Sequence, residues 1–221
     1  MDKDMTEEFY SRFIAPGDLV FDIGANVGLY TQVFSRMARK VVAVEPQAGL
    51  LDKFKAYPNV AVVEKACGSH EGELEMLISS TPAISSLSPE WVRAVRDSRR
   101  FDGHEWNERC TVKATTLDAL ILEHGIPSFI KIDVEGYEVR VLEGLTQKIR
   151  ALSFEFTPEY EVATARCLEI LHALGDYEFN YGMQTDIWTD TESLLGGLAQ
   201  FRGNNVAVGD IYARLRTGGR P

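Results

Sequence analysis

Short apolar runs alternate with helical periodicity through the first 66 residues, and this pattern constrains the fold more than any other feature of the sequence. Residues 19–24, 40–45 and 60–66 have the apolar character of buried parallel strands. The segments between them, residues 29–39 and 47–56, read as helices. Because parallel strands need crossover connections, this β-α-β-α-β order predicts a parallel sheet with helices on its faces.

The same alternation returns after a less regular middle. The further predicted strands are 73–78, 111–116, 129–134, 151–156, 177–181 and 210–215. The further predicted helices are 89–99, 116–124, 137–145, 162–174 and 192–200. No repeat or linker interrupts the chain, so we expect a single domain over residues 1–216, with a substrate-facing insertion at 79–110 and a flexible tail at 217–221.

The composition is that of a globular protein and excludes several classes. The chain has 221 residues, 45% hydrophobic and 25% charged, and a formal net charge of −10. An acidic chain is poorly suited to gripping phosphates, so we expect no nucleic-acid partner. No apolar run approaches the ~20 residues of a membrane span, and residues 1–8 do not resemble a secretory signal. The three cysteines form no CxxC pair, which favours reduced thiols in a cytoplasmic protein.

A glycine-containing loop, DIGANVG at 22–28, joins the first predicted strand to the first helix. Glycines there let backbone N–H groups approach a ligand at the positive end of a helix. The dinucleotide fingerprint GxGxxG would need glycines where this chain has Asn26 and Leu29, which disfavours an NAD-dependent oxidoreductase. Glu45 ends the second strand, where an acid can accept hydrogen bonds from ribose hydroxyls. Loop and acid together predict a nucleoside ligand, with a purely structural turn as the alternative.

Five motifs carry a resemblance to an enzyme family. GDLVFDIGANVGLYT (17–31) and VVAVEP (41–46) resemble the class I S-adenosylmethionine-dependent methyltransferases. ACGSHEGELEM (66–76), TTLDAL (115–120) and IKIDVEGYEVRVLEGL (130–145) resemble, more narrowly, the FkbM family. The resemblance implies an α/β fold: one Rossmann-like domain whose seven-stranded, mostly parallel sheet has the order 3-2-1-4-5-7-6, with strand 7 antiparallel. It also implies O-methylation, commonly of hydroxyls on sugars or natural products.

The resemblance also implies a binding site for S-adenosylmethionine. Glu45 would hold the ribose, the 22–28 loop would face the methionine end, and the residues after the third strand would border the adenine. The implied cofactor-binding residues are Asp22, Gly24, Ala25, Asn26, Gly28, Glu45, Ala66 and Cys67.

Independently of the family resemblance, four of the predicted strands end in an acidic residue. In an open parallel sheet, ligands bind outside the carboxyl ends of the strands. In the expected strand order the acids there are Glu45, Asp22, Asp133 and Glu155. Such a row repels itself unless a positive group occupies the crevice, which a sulfonium would do. Since adjacent carboxylates raise each other's pKa, we expect Asp133 to accept the proton of an acceptor hydroxyl and Glu155 to assist.

Two alternatives for the pair stay open. In one, Asp133 caps the following helix and Glu155 pairs with Lys131 or Arg140. In the other, the two carboxylates hold Mg²⁺, which activates the hydroxyl. Two carboxylates alone do not define a metal site, so Mg²⁺ is not favoured.

The acceptor is expected to contact the 79–110 insertion. Its His104 and Trp106 are the candidate substrate residues, Trp106 by stacking on a sugar or an aromatic acceptor. The arginines from 93 to 109 are balanced by acids, which favours a solvated helix face over an anion site. The expected partner is a small-molecule hydroxyl acceptor. A protein that binds S-adenosylmethionine or a nucleoside without turnover is the non-enzymatic alternative, and the sequence leaves a homodimer open.

Overall fold

The computed structural model describes residues 3–183 and 186–216, so the predicted tail lies outside the described residues. The helices are α1 Lys3–Tyr10, α2 Leu29–Met37, α3 Pro89–Asp97, α4 Leu117–His124, α5 Glu138–Glu143, α6 Glu161–Leu174 and α7 Thr191–Leu198. The strands are β1 Leu19–Ile23, β2 Lys40–Val44, β3 Val60–Val63, β4 Ala66–Cys67, β5 Gly72–Ile78, β6 Glu108–Thr115, β7 Phe129–Ile132, β8 Ala151–Phe156, β9 Tyr177–Tyr181 and β10 Gly209–Leu215. No helix in these described stretches is long and apolar enough to cross a membrane.

Seven strands form the main sheet, in the order β3-β2-β1-β7-β8-β10-β9. β10 runs antiparallel to both of its neighbours, and the other neighbouring pairs are parallel. Numbered by their order within this sheet, the strands follow 3-2-1-4-5-7-6, so the predicted α/β fold is confirmed. The β-branched runs of β2 and β3 suit strands packed on both faces.

Two predicted elements around the third strand are wrong. Residues 60–66 do not form one strand: β3 ends at Val63, and β4 joins a separate three-stranded sheet of order β4-β6-β5. Residues 47–56 contain only a 3₁₀ turn at Asp52–Ala56. Gly49 has φ 84°, which interrupts any helix there, and packing of the buried Phe54 holds the turn in place.

Local caps define the ends of two helices. Ser88 and Thr116 precede α3 and α4, and each side-chain oxygen accepts a hydrogen bond from a backbone N–H three residues on, at 3.1 and 3.0 Å. Gly125 ends α4 with φ 98°. α3 stops two residues earlier than predicted, because Arg99 adopts a left-handed conformation with φ 59°.

The main sheet has a different helical cover on each face. α1 and α2 pack on one face, where the aromatic side chains of Tyr10, Phe34, Phe129 and Tyr212 meet. α4, α5, α6 and α7 contribute to the larger core on the other face. On β7 the side chains alternate, so Phe129 and Lys131 face α1 and α2 while Ile130 and Ile132 face the larger core. Helix α1 was not among the predicted elements, and its fully buried Tyr10 makes it part of the core.

Candidate active site

The loop between β1 and α2 depends on two glycines. Gly24 has φ 78°, and a Cβ there would lie 1.7 Å from the backbone oxygen of Asp133. Gly28 has φ 76°, and a Cβ there would lie 2.0 Å from the ring of Phe54. Only glycine fits either position, which brings this backbone directly against the end of β7.

Glu45 is held at the end of β2 by backbone amides. Its Oε2 accepts a hydrogen bond from Asn26 N at 3.0 Å, and its Oε1 accepts one from Gln47 N at 2.9 Å. The side chain is 4% exposed, and this burial raises the pKa of Glu45, although the two hydrogen bonds oppose the rise. Each carboxylate oxygen keeps a second lone pair, so Glu45 can still accept hydrogen bonds from a ligand.

A cleft of about 460 Å³ opens beside Glu45, and we call it the narrow cleft. Five of the eight predicted cofactor-binding residues line it: Gly24, Asn26, Glu45, Ala66 and Cys67. Four residues of the insertion also line it: Pro82, Ala83, Ser85 and Leu87. The insertion thus borders the same cleft as the glycine loop.

The other three predicted cofactor-binding residues lie outside the lining of the narrow cleft. Ala25 is buried, and Gly28 packs against Phe54. Asp22 is buried and accepts a hydrogen bond from Thr31 Oγ1 at 2.6 Å, and burial raises its pKa to about 6. These residues support the loop from beneath.

Lys131 puts a fixed positive charge among the acids. It is 1% exposed, and its Nζ lies 2.6 Å from Asp133 Oδ2, 4.0 Å from Asp210 Oδ1 and 4.3 Å from the centroid of the Tyr30 ring. Burial alone would lower the pKa of Lys131, but the carboxylates around it raise the pKa well above its usual value. The expectation that a bound sulfonium must balance the acids is therefore incomplete, because the chain supplies one cation itself.

Glu155 lies near Asp133 and has a carboxylate oxygen without a partner. Its Oε2 is buried, and no described residue donates a hydrogen bond to it. Burial, and then the charges of Glu135 and Asp133, raise the pKa of Glu155 well above its usual value. A carboxylate in these surroundings takes up a proton more readily than an isolated one.

Three carboxylates converge at this point. One oxygen from each of Asp133, Glu135 and Glu155 lies within 4.8 Å of the other two. Carboxylate oxygens are the ligands that Mg²⁺ prefers, so these are the residues that could hold a divalent cation. Glu135 was not part of the pair considered from the sequence, and it adopts a left-handed backbone with φ 55°.

The predicted structural roles for Asp133 and Glu155 are wrong. The residue that precedes α5 is Tyr137, and no side chain caps that helix. Lys131 pairs with Asp133 instead of Glu155, and Arg140 pairs with Glu143 at 2.8 Å.

A second, wider cleft of about 1380 Å³ adjoins the same acids, and we call it the wide cleft. Asp133, Glu155 and Asp210 line it together with Tyr30, which follows the glycine loop. The rest of its lining comes from the end of β9, from residues 182–183 and 201–208, and from β10. These residues are mainly aromatic and aliphatic. Among the described residues, Asp133 alone lines both clefts.

The predicted substrate residues lie elsewhere. Trp106 is buried against Trp91 and Phe101, and its Nε1 donates a hydrogen bond to Ile84 O at 2.6 Å. His104 Nδ1 lies 3.1 Å from Thr81 Oγ1. Neither residue is among the described lining of either cleft.

The arginines of the insertion are only partly the predicted solvated face. Arg100 is buried, because its guanidinium makes two hydrogen bonds to Glu159, at 2.9 and 2.8 Å. Its Nη2 also donates to Ala207 O at 2.7 Å. The insertion is thereby fastened to the segment that lines the wide cleft.

Sequence reasoning missed Asp210, and it named Lys131 only as a possible partner of Glu155. A signal for Lys131 was present, since one lysine interrupts the apolar run of a central strand that must be buried on both faces. Asp210 gave no such signal, because β10 lies beside β8 only through a long-range antiparallel pairing that sets Asp210 opposite Glu155.

A family model and a solved structure both match this chain. Residues 22–181, more than half of the chain, match the family model described as the methyltransferase FkbM domain. The crystal structure of the methyltransferase FkbM from Methylobacillus flagellatus superposes with a TM-score of 0.53 and 15% identity, over 90% of this chain and 44% of that one. At that identity the superposition supports the fold alone.

Two curated relatives match over part of their length. The hexuronic acid methyltransferase AglP of Haloferax volcanii is 26% identical over 144 residues, which cover 62% of this chain and 54% of AglP. The AMB antimetabolite synthetase AmbE of Pseudomonas aeruginosa is 29% identical over 251 residues, which cover 94% of this chain and 11% of AmbE. The chain therefore spans about half of one relative and about a tenth of the other.

Proposed function

The chain belongs to the FkbM methyltransferase domain family, and on that premise we propose that it is an S-adenosylmethionine-dependent O-methyltransferase. The proposed acceptor is a hydroxyl group of a small molecule, with sugars and glycosylated natural products as the acceptor class. A sugar acid is the substrate in the name of the relative AglP, which supports this class.

The residues of the narrow cleft fit S-adenosylmethionine. Glu45 is fixed by two backbone amides and keeps free lone pairs, as a residue that holds two ribose hydroxyls must. Gly24 and Asn26, which both have positive φ, line the cleft beside this carboxylate. We assign Ala66 and Cys67 to the adenine side, and Asp22, Ala25 and Gly28 to support of the loop.

The observation that carries the proposal is the place of Asp133 between the two clefts. S-adenosylmethionine supplies a methyl group bound to a positively charged sulfur. When the methyl group is transferred, this sulfur becomes the uncharged thioether of the leaving group. Methyl transfer is an in-line displacement, so the protein must align the hydroxyl and remove its proton. Asp133 lines both clefts, and Glu155, which lines the wide cleft, has a carboxylate oxygen within 4.8 Å of one on Asp133.

From the sequence we expected Asp133 to accept the proton and Glu155 to assist, but the contacts favour the reverse assignment. Asp133 is held 2.6 Å from the Lys131 ammonium, which occupies its Oδ2 and fixes its orientation. Glu155 has a buried oxygen without a partner and a raised pKa. We therefore assign proton removal to Glu155 and alignment of the hydroxyl to Asp133, and the assignment needs no Mg²⁺.

Calorimetry with S-adenosylhomocysteine tests the cofactor. We expect the wild-type protein to bind it and not NAD, and Glu45→Gln to weaken binding by roughly 10–100-fold, because one ribose acceptor is lost. Glu64→Gln is the matched control, since Glu64 makes an exposed ion pair with Lys55 and does not line the narrow cleft. Binding of NAD alone, or an equal effect of both substitutions, would contradict the proposed cofactor site.

A methyl-transfer assay with an acceptor panel then separates an enzyme from a sensor. We expect label from methyl-labelled S-adenosylmethionine to appear on an ether oxygen of a hydroxyl compound. Transfer to nitrogen or carbon acceptors only would refute O-methylation. Turnover that is lost with a chelator and restored by Mg²⁺ would support the metal alternative instead of a carboxylate base.

A further inference from the structure

The wide cleft is a site of its own, separate from the cleft that fits the cofactor. We infer that it binds the methyl acceptor, and that this acceptor is an uncharged or cationic hydroxyl compound with an apolar face, such as a neutral glycoside, and not an anionic sugar. This inference rests on the proposed function, because it assigns the second substrate of the same reaction.

The position of the wide cleft, next to the narrow cleft, supports its assignment to the acceptor. Asp133 lines both clefts, and Glu155 lines the wide cleft. A hydroxyl bound in the wide cleft would therefore lie at the junction with the narrow cleft, within reach of both carboxylates. The 79–110 insertion supplies lining residues to the narrow cleft only, among those that the structure describes. The acceptor side is built instead by the segment that connects β9 to β10.

The apolar surface of the wide cleft is the second argument. Tyr181 and Phe201 lie with their ring centroids 5.2 Å apart, and both line the cleft. Val206 and Val208 also line it, yet they are 80% and 57% exposed. Aliphatic side chains clustered with aromatic rings at the mouth of a cleft are typical of a binding surface. A ligand that covers them needs a flat or apolar face, which a glycoside offers.

The charge of the cleft is the third argument, and it determines the class of acceptor. Asp133, Glu155 and Asp210 all line the cleft, whereas no lysine or arginine among the described residues does so. The Lys131 ammonium is buried and pairs with the carboxylates of Asp133 and Asp210.

Arg100, which donates a hydrogen bond to the cleft-lining residue Ala207, already has its partners within the chain. Arg100 is 7% exposed at its side chain and is paired with Glu159 and with a backbone carbonyl. A carboxylate on the acceptor would thus face three acids with no cation to receive it, which costs binding energy at an interface. The cleft excludes uronates for this reason, in contrast to the acceptor that the name of AglP states.

The test compares two ligands that differ in one group. Phenyl glucoside and phenyl glucuronide share the aromatic ring and the hydroxyls at carbons two to four, but only the second has a carboxylate. With the protein saturated with S-adenosylhomocysteine, we expect NMR titration to show the glucoside binding about tenfold or more tightly than the glucuronide.

A substitution then locates the site. Val208→Trp places a large ring in the wide cleft, so we expect it to weaken glucoside binding about tenfold or more and to leave S-adenosylhomocysteine binding unchanged. Leu122→Trp is the matched control, because Leu122 is an exposed aliphatic residue on α4 that lines neither cleft.

Three results would overturn the inference: tighter binding of the glucuronide, equal glucoside binding by wild type and Val208→Trp, or binding of neither glycoside at millimolar concentration. S-adenosylhomocysteine binding is read in the same samples and reports on the proposed function separately. If it binds and Val208→Trp has no effect on the glucoside, the acceptor assignment fails and the cofactor assignment stands.

Discussion

At the scale of single residues, the acids at the ends of the strands differ in what surrounds each one. Lys131 holds Asp133, Thr31 holds Asp22, and two backbone amides hold Glu45. Glu155 keeps one buried oxygen without a partner. Acidic side chains at the ends of these strands are thus suited to different tasks, because their hydrogen-bond partners differ.

The raised pKa of Glu155 leads to a prediction about its neighbour. After burial, the charge of Glu135 is the largest influence that raises the pKa of Glu155. We expect Glu135→Gln to lower the pKa of Glu155, so that Glu155 loses its proton at lower pH than in the wild type. Carboxyl-carbon NMR titration measures this directly, and Glu155→Gln identifies the signal.

Glu90→Gln serves as the control for that titration, because Glu90 is exposed at the start of α3 and is not among the charges that act on Glu155. If Glu155 titrates in the ordinary glutamate range in the wild type, or if Glu135→Gln leaves it unchanged, its assignment as proton acceptor loses its support.

Sequence motifs that fix the backbone indicated which residues come together, while their role in cofactor binding stays a prediction. The predicted Gly24, Asn26, Glu45, Ala66 and Cys67 all line the narrow cleft. The sequence did not indicate the acceptor side, since the residues of the wide cleft come from the β9–β10 connection, which carries no motif. His104 and Trp106 were chosen for their chemistry alone, and packing in the insertion determines their actual contacts.

At the scale of elements, the turn between β7 and α5 connects the acids to helix α3. Gly136 has φ 88°, and a Cβ there would lie 2.2 Å from the Cβ of Trp91. Glu138 accepts hydrogen bonds from the backbone N–H groups of Val134 and Gly136, which holds the turn closed. The position of α3 is therefore set by the same turn that carries Glu135.

Gly136→Ala should disrupt this packing. We expect a loss of roughly 2–4 kcal/mol in the free energy of unfolding, because the new methyl group adds a clash with Trp91 to the cost of a positive φ. Gly103→Ala is the control, since Gly103 has φ 83° but nothing within 4 Å of the added Cβ, and should cost only about 1 kcal/mol. Denaturant unfolding measures both, and equal losses would mean that the contact with Trp91 is unimportant.

Elements that are stabilised by signals in their own sequence were predicted, and elements that depend on tertiary contacts were not. The central strands are continuous apolar runs, and the capped helices α3 and α4 carry their signals locally. Residues 47–56 and helix α1 were not predicted correctly from their own sequence. The left-handed Gly49 interrupts residues 47–56, and the packing of Tyr10 stabilises α1. The predicted boundaries of the whole domain stay a prediction.

At the scale of the whole molecule, Arg100 joins parts of the chain that are distant in sequence. Its guanidinium binds Glu159, after β8, and the carbonyl of Ala207, before β10. Asn205 Nδ2 adds a hydrogen bond to Ser98 O at 2.7 Å. The insertion beside the narrow cleft and the connection beside the wide cleft are therefore fastened together.

Removal of this buried cation should destabilise the protein as a whole. We expect Arg100→Met to cost about 3–5 kcal/mol in the free energy of unfolding, because the buried Glu159 carboxylate loses its cation and keeps only the hydrogen bond from Ser98 Oγ. Arg109→Met breaks an exposed pair with Glu75 and should cost less than about 1 kcal/mol. Comparable losses in thermal or denaturant unfolding would show that the buried pair adds nothing beyond a surface one.

The place of β10 has a consequence for synthesis on the ribosome. This strand lies between β8 and β9 although it follows both in the chain, and its Tyr212 lies 3.4 Å from the hydroxyl of Tyr10, 202 residues away. Until residues 209–215 have left the ribosome, β8 has an unpaired edge, β9 has no partner in the main sheet, and α1 lacks one of its aromatic contacts. Folding of the main sheet must therefore wait for β10, and Asp210 arrives with that strand, so the acidic centre is completed only after residues 209–215 have been synthesised.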